Sequence, residues 1–139
     1  MEERMEEKEL RRLLDAARTI AVIGAKDKAG QPVDRVGRYL IAVGYEVIPV
    51  HPKRKEVWGR QAYEKLSDIP VPVDVIDVFR APEYCAGHAR EALALNPLPG
   101  LFWMQLGICN AEAGALLAQG GVPVVENACL MVEHLRLFG

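Results

Sequence analysis

Apolar and polar positions change period several times along the chain, and each change marks an element. Residues 1–18 open acidic and then carry Leu10, Leu13, Leu14 and Ala17 at i, i+3, i+4 and i+7. That single stripe predicts an amphipathic helix. Residues 19–24 are apolar almost throughout, as in a parallel strand covered on both faces. Helical spacing returns over residues 33–43, where Val36, Tyr39, Leu40 and Val43 form one face and Gly44 follows as a C′ glycine. Residues 45–50 read as a second strand, closed by His51-Pro52 because proline cannot continue the ladder. Residues 56–72 have no period and contain Gly59, Pro70 and Pro72, with a short helical turn expected at 63–66. A third strand spans 73–79, with Asp74 and Asp77 embedded in it. Pro82 and Glu83 suit the first turn of a helix that runs to about residue 95, before Asn96-Pro97. Residues 100–105 are a fourth strand. Asn110 reads as the N-cap of a helix over 111–119, ended by Gly120-Gly121. A fifth strand at 122–125 and a helix at 128–138 complete the chain.

Strands alternating with helices imply a parallel sheet with right-handed crossovers and helices on both faces, a three-layer α/β fold with an added N-terminal helix. The expected strand order is 3-2-1-4-5. The first and fourth strands then lie side by side, with their chains leaving in opposite directions. Ligands of such sheets bind at that switch point, outside the carboxyl ends of the strands. At 139 residues the whole chain, 1–139, reads as one domain with its own core.

Composition narrows the function. A net charge of -2 gives no broad attraction to nucleic acid or to an anionic membrane. No apolar run is long enough to cross a bilayer, and the charged start lacks the apolar segment of a signal peptide, so a cytoplasmic protein is expected. Cys85, Cys109 and Cys129 are odd in number and far apart, which fits reduced, mostly buried thiols. Ser67 is the only serine and Thr19 the only threonine, which argues against a serine hydrolase. His51, His88 and His134 are scattered and form no metal-ligand pattern; His134, near the end of the last helix, stands where a cation suits the dipole. No catalytic constellation emerges, so a non-enzymatic role is expected.

The strand ends name the candidate site: Gly24-Ala25, His51-Pro52, Phe79-Arg80, Gln105-Leu106-Gly107 and Glu126-Asn127. Gly24 ends the first strand and permits a sharp turn and close approach of a ligand. The helix that follows points its N–H groups and positive dipole end at that gap, which suits a phosphate. The dinucleotide fingerprint G-x-G-x-x-G is absent, because Gly24 is followed by Ala25, Lys26, Asp27, Lys28 and Ala29. The acid that NAD binding needs at the second strand end is replaced by His51. Lys53, Arg54 and Lys55 keep an alternative open, a small NADP-dependent oxidoreductase or redox sensor.

Three runs carry a family resemblance: Ala21-Val22-Ile23-Gly24, Arg35-Val36-Gly37-Arg38-Tyr39-Leu40 and Gly44-Tyr45-Glu46-Val47-Ile48-Pro49-Val50-His51-Pro52. Val73 to Arg80, Trp103 to Gly107, and Cys129 with Glu133-His134 follow in the same order. Together they resemble the small stand-alone CoA-binding proteins over nearly all of the chain after the first helix. The resemblance implies a Rossmann-like domain related to the nucleotide-binding domain of succinyl-CoA synthetase, holding the ADP part of coenzyme A. It also implies a small-molecule ligand with neither nucleic acid nor membrane as partner. A homodimer, or a subunit that completes a ligase with a separate chain, stays open. Carried over by position, the ligand residues are Gly24, Ala25, Lys26, Lys28, Arg35, Val36, His51, Pro52, Phe79, Arg80, Gln105 and Gly107. This chain departs where the family often has a small hydroxyl residue, at Lys26, and a Pro-Ser-Tyr-like run, at Pro32-Val33-Asp34. Cys109 and Cys129 are read first as core cysteines, with contact to the CoA thiol as the lesser alternative.

Overall fold

The computed structural model describes residues 5–139; the start of the expected first helix, residues 1–4, lies outside them. Helix α1 (Glu7–Ala16) leads into strand β1 (Thr19–Ile23), helix α2 (Pro32–Ala42) and strand β2 (Glu46–Val50). The stretch expected to be irregular holds a small hairpin, β3 (Glu56–Val57) and β4 (Arg60–Gln61), and its single turn of 3-10 helix falls at Leu66–Asp68 rather than at 63–66. Strand β5 (Val75–Val78), helix α3 (Cys85–Leu93), strand β6 (Leu101–Met104), helix α4 (Ala111–Gln119), strand β7 (Val124–Val125) and helix α5 (Leu130–Phe138) follow.

Five strands form one parallel sheet, as expected, with helices on both faces. Its order is β2-β1-β5-β6-β7, so the third long strand lies beside the first and not beyond the second. The expected order 3-2-1-4-5 is corrected to 2-1-3-4-5. Two residues explain it. Pro49 has no N–H, so a central position would cost β2 a ladder bond, and proline in a sheet belongs at an edge. Its carbonyl faces away from β1 and accepts from Tyr63 N at 3.0 Å, while His51 N donates to Tyr63 O at 2.9 Å. One residue of the following loop therefore closes the outer rim of β2. On the other side, the Asp74 carboxylate accepts from the N–H groups of Arg18 and Thr19 at 2.8 and 3.0 Å, which pins β5 against β1. The switch point thus falls between β1 and β5.

Each face has its own core. Ile20, Val22, Val75, Leu101 and Trp103 point to the layer of α1, α2 and α5. Ala21, Ile23, Ile76, Val78, Phe102 and Met104 point to the layer of α3 and α4. Alternate residues of β6 make Phe102 and Trp103, both fully buried, the anchors of opposite layers. Burial of rings this size contributes about 1.5–3 kcal/mol each, and Trp103 keeps its N–H satisfied by donating to Ala128 O at 2.8 Å. Val43, expected on the core face of α2, is exposed because it is the C-cap, past the last regular turn. Asn110 caps α4 as expected, its side chain accepting from Ala113 N at 2.8 Å. Of the cysteines only Cys85 is buried; Cys129 is half-buried and Cys109 exposed. No helix among the described residues is long and apolar enough to cross a membrane.

Candidate functional site

The carboxyl ends of β1, β2 and β5 and the start of α2 surround a cleft of about 620 Å³. Six of the residues named from sequence line it: Gly24, Lys26, His51, Pro52, Phe79 and Arg80. Gly24 turns the chain at φ +84°, and a Cβ there would lie 2.3 Å from the Phe79 carbonyl oxygen. The close approach that requires glycine is therefore that of the neighbouring strand, which is brought in tightly enough to set Phe79 and Arg80 beside the first loop.

The other six lie off the cleft lining. Ala25 and Val36 are core residues, at 0% and 1% exposure. Lys28 and Arg35 are exposed, on the loop and the outer side of α2. Gln105 is buried and its Oε1 accepts from Leu130 N at 3.0 Å, so it ties β6 to the start of α5. Gly107 N donates to the Asn127 side chain at 2.8 Å, which joins two neighbouring loops. The corrected strand order accounts for the last two. With β5 beside β1, the end of β6 stands one strand further from the switch.

Six more residues complete the lining: Gln31, Ala81, Tyr84 and Ile108, which sequence reasoning missed, and Pro32 and Val33, which it named only as a departure from the family pattern. Pro32 was the available signal, since proline at N1 marks a helix start one residue before the apolar period begins. The start of α2 has no side-chain cap, so its positive end is presented to the cleft by Gln31, Pro32 and Val33. On the opposite wall the Arg80 guanidinium lies 4.3 Å from the centre of the Tyr84 ring. That contact holds a cation at the mouth while leaving its donors available. Ile108 also lines this cleft, and Cys109 follows it.

His51 is oriented by its own loop. Its Nδ1 accepts from the backbone N–H groups of Lys53 and Arg54 at 3.0 and 3.1 Å, which puts the ring proton on Nε2. Burial, and then the charges of Arg54, Lys26, Arg80 and Lys53, push its pKa below the ordinary value of 6.5. The ring is therefore a neutral donor at physiological pH. Of the basic run behind it, Arg54 is paired with Asp27 at 3.1 Å, and Lys53 is exposed. Among the described residues no cluster of three or more His, Cys, Asp or Glu could hold a metal ion. The site thus collects Lys26, Arg80, a neutral imidazole and a helix N-terminus against the apolar surfaces of Phe79, Tyr84 and Ile108. Such an arrangement suits an anionic ligand with a large uncharged part.

A family model described as a CoA binding domain matches residues 18–135. A curated relative, the uncharacterized protein YneT of Bacillus subtilis, is 34% identical over 126 residues, covering 91% of this chain and 92% of that protein. A solved structure from Thermus thermophilus, cell-free ID.343, is 46% identical with a TM-score of 0.91, covering 96% of this chain and 100% of that one. A hypothetical protein from Pyrococcus horikoshii OT3 is 33% identical with a TM-score of 0.93, each chain covered over 100% of its length.

Proposed function

The chain belongs to the CoA binding domain family, and from that membership we propose that the cleft between β1 and β5 binds coenzyme A, or an acyl-CoA, through its ADP part. The observation that carries this reading is the convergence of Lys26, His51 and Arg80 with the uncapped start of α2. A diphosphate needs charge, directed donors and a backbone that lets it come close. Lys26 and Arg80 supply charge, His51 Nε2–H and the Val33 N–H at the start of α2 supply donors, and Gly24 lets the Phe79 strand come close enough to bring Arg80 beside the first loop. Phe79, Tyr84 and Ile108 form the wall for the uncharged portion. Binding without chemistry is part of the reading. Lys28 and Arg35 contribute only through screened, longer-range attraction.

Calorimetry with CoA, acetyl-CoA, ADP, NAD, NADP and ATP tests it. CoA and acetyl-CoA bind, with ADP retaining a measurable share of the affinity. Binding of NADP alone moves the assignment to a nicotinamide protein. Lys26→Ala and Arg80→Ala each weaken CoA binding about ten- to a hundredfold, the loss of one charge-assisted hydrogen bond of roughly 1.5–3 kcal/mol. Lys28→Ala and Arg35→Ala cost roughly two- to threefold, and this loss fades as salt is raised. Equal effects of the two pairs would place the diphosphate outside the cleft. Acetyl-CoA held with the protein keeps its thioester; release of free CoA would show catalysis.

A further inference from the structure

The two halves of the carboxyl edge carry different charge. Lys26 and Lys28 follow β1, and Lys53, Arg54 and Lys55 follow β2, whereas no lysine, arginine or histidine occurs between Arg90 and His134. The loops that leave β6 and β7 therefore hold no cation. Arg90 itself is paired with Glu112 at 2.6 Å. The acid on these loops is Glu126, half-buried after β7, whose Oε2 accepts from Asn110 N at 3.3 Å. The cations in the cleft lining, Lys26 and Arg80, are the two assigned to the diphosphate.

The same half is apolar where the cleft opens onto it. Ile108 lines the cleft, and the chain reaches it through a four-residue turn closed by Ile108 N donating to Gln105 O at 2.8 Å. Gly107, at φ +84° in the third position, makes this a type II turn. Leu106 therefore occupies the corner, and at 69% it is the most exposed large apolar side chain among the described residues. A turn corner ordinarily takes proline or a polar residue. Tyr84, on the cleft wall, is half exposed. The turn is fixed on two sides. Gly107 N donates to the Asn127 side chain at 2.8 Å and Asn127 N to Ile108 O at 3.0 Å. Asn110 Nδ2 donates to Pro82 O at 2.9 Å, which ties the loop to the segment that carries Tyr84. The turn with Leu106 and Ile108 and the segment with Tyr84 thus form one preformed, apolar end of the cleft.

We propose that this end of the site selects acyl-CoA esters with an uncharged, apolar acyl group, over free CoA and over acyl groups that end in a carboxylate. The inference rests on the CoA reading and adds the substrate class to it. With the diphosphate at Lys26, His51 and Arg80, a pantetheine arm that runs along Phe79, Tyr84 and Ile108 brings its sulfur end to the Leu106 turn. An apolar acyl group there removes leucine and ring surface from water. A free thiol covers less of that surface. A terminal carboxylate meets Glu126 and finds no cation on these loops to pair with.

Calorimetry with CoA, butyryl-CoA and succinyl-CoA tests it. Butyryl-CoA binds roughly three- to tenfold more tightly than CoA, and succinyl-CoA binds more weakly than either. Leu106→Ser, at an exposed turn position, brings the ratio of butyryl-CoA to CoA affinity down towards one. Glu126→Gln keeps an acceptor for Asn110 N and recovers roughly two- to threefold of the affinity lost with succinyl-CoA. Equal affinities for the three ligands overturn the proposal and leave the CoA reading intact. So does a Leu106→Ser protein that keeps the full butyryl preference, or a Glu126→Gln protein that rejects succinyl-CoA as strongly as before. Absence of binding by CoA and both esters removes the CoA reading itself, and this inference with it.

Discussion

Asp77 sits in the centre of the sheet, paired in register with Val22 and Trp103, and is completely buried with neither carboxylate oxygen hydrogen-bonded. Burial drives its pKa well above 3.8, so the folded protein keeps it protonated where the unfolded chain does not. The sign follows from proton linkage. Above pH 3.8 the folded state holds one more proton than the unfolded state, so this residue removes stability as pH rises, until its folded pKa is reached. Asp77→Asn therefore flattens the pH dependence of stability over that window, read from urea unfolding at a series of pH values. An unchanged slope would mean that the carboxyl has a partner. His51 acts in the opposite sense. Its lowered pKa makes it a source of stability above 6.5 that is lost as pH falls through and below that value. His51→Gln removes this loss. The embedded aspartate was visible in the sequence as an acid within an apolar run, but its lack of a partner depends on neighbours that no local pattern encodes.

The hairpin shows how an element without a period escapes sequence reading. Strands of two residues cannot display alternation, and Gly59 was the only sign of a turn. Trp58 and Gly59 both adopt positive φ, 55° and 70°, the conformation of the tightest hairpin turn. The turn aims the Trp58 ring at α2, where its Nε1 donates to Asp34 at 2.9 Å and Arg38 donates to the same carboxylate. Asp34 stands in the first turn of α2, and these two donors occupy its charge beside the candidate phosphate site. Gly37 leaves room for the ring: a Cβ there would lie 2.2 Å from it. Gly37→Ala should thus destabilise the protein by about 1–3 kcal/mol through overpacking. In a Trp58→Ala background the same change should stabilise it by about 0.5–1 kcal/mol, the ordinary gain of alanine over glycine within a helix. Equilibrium unfolding of the four proteins checks the reversal of sign. The long elements were legible because each buries a periodic face, and Asn110 and Gly44 marked their ends. Strand order was legible too, had Pro49 been given its full weight as an edge signal.

At the scale of the molecule, the alternation of elements identifies a doubly wound sheet with a ligand edge, and half of the named site residues line the cleft there. Of the remainder, Gln105 and Gly107 followed the wrong neighbour relation, which placed the fourth strand beside the first, whereas Ala25, Lys28, Arg35 and Val36 lie on the first loop and α2 but face away from the cleft. A ligand that binds only the native form raises the melting temperature in proportion to log concentration well above its dissociation constant. CoA should do so for the unaltered chain and far less for Lys26→Ala, as scanning fluorimetry would read. The rims of the sheet have a consequence beyond topology. Tyr63 covers the outer side of β2, Pro49 offers that side no N–H, and β7 spans only two residues. A second chain approaching either border meets no long row of unpaired backbone on which to add a strand, so concentrated solutions of the native protein should resist aggregation by sheet extension.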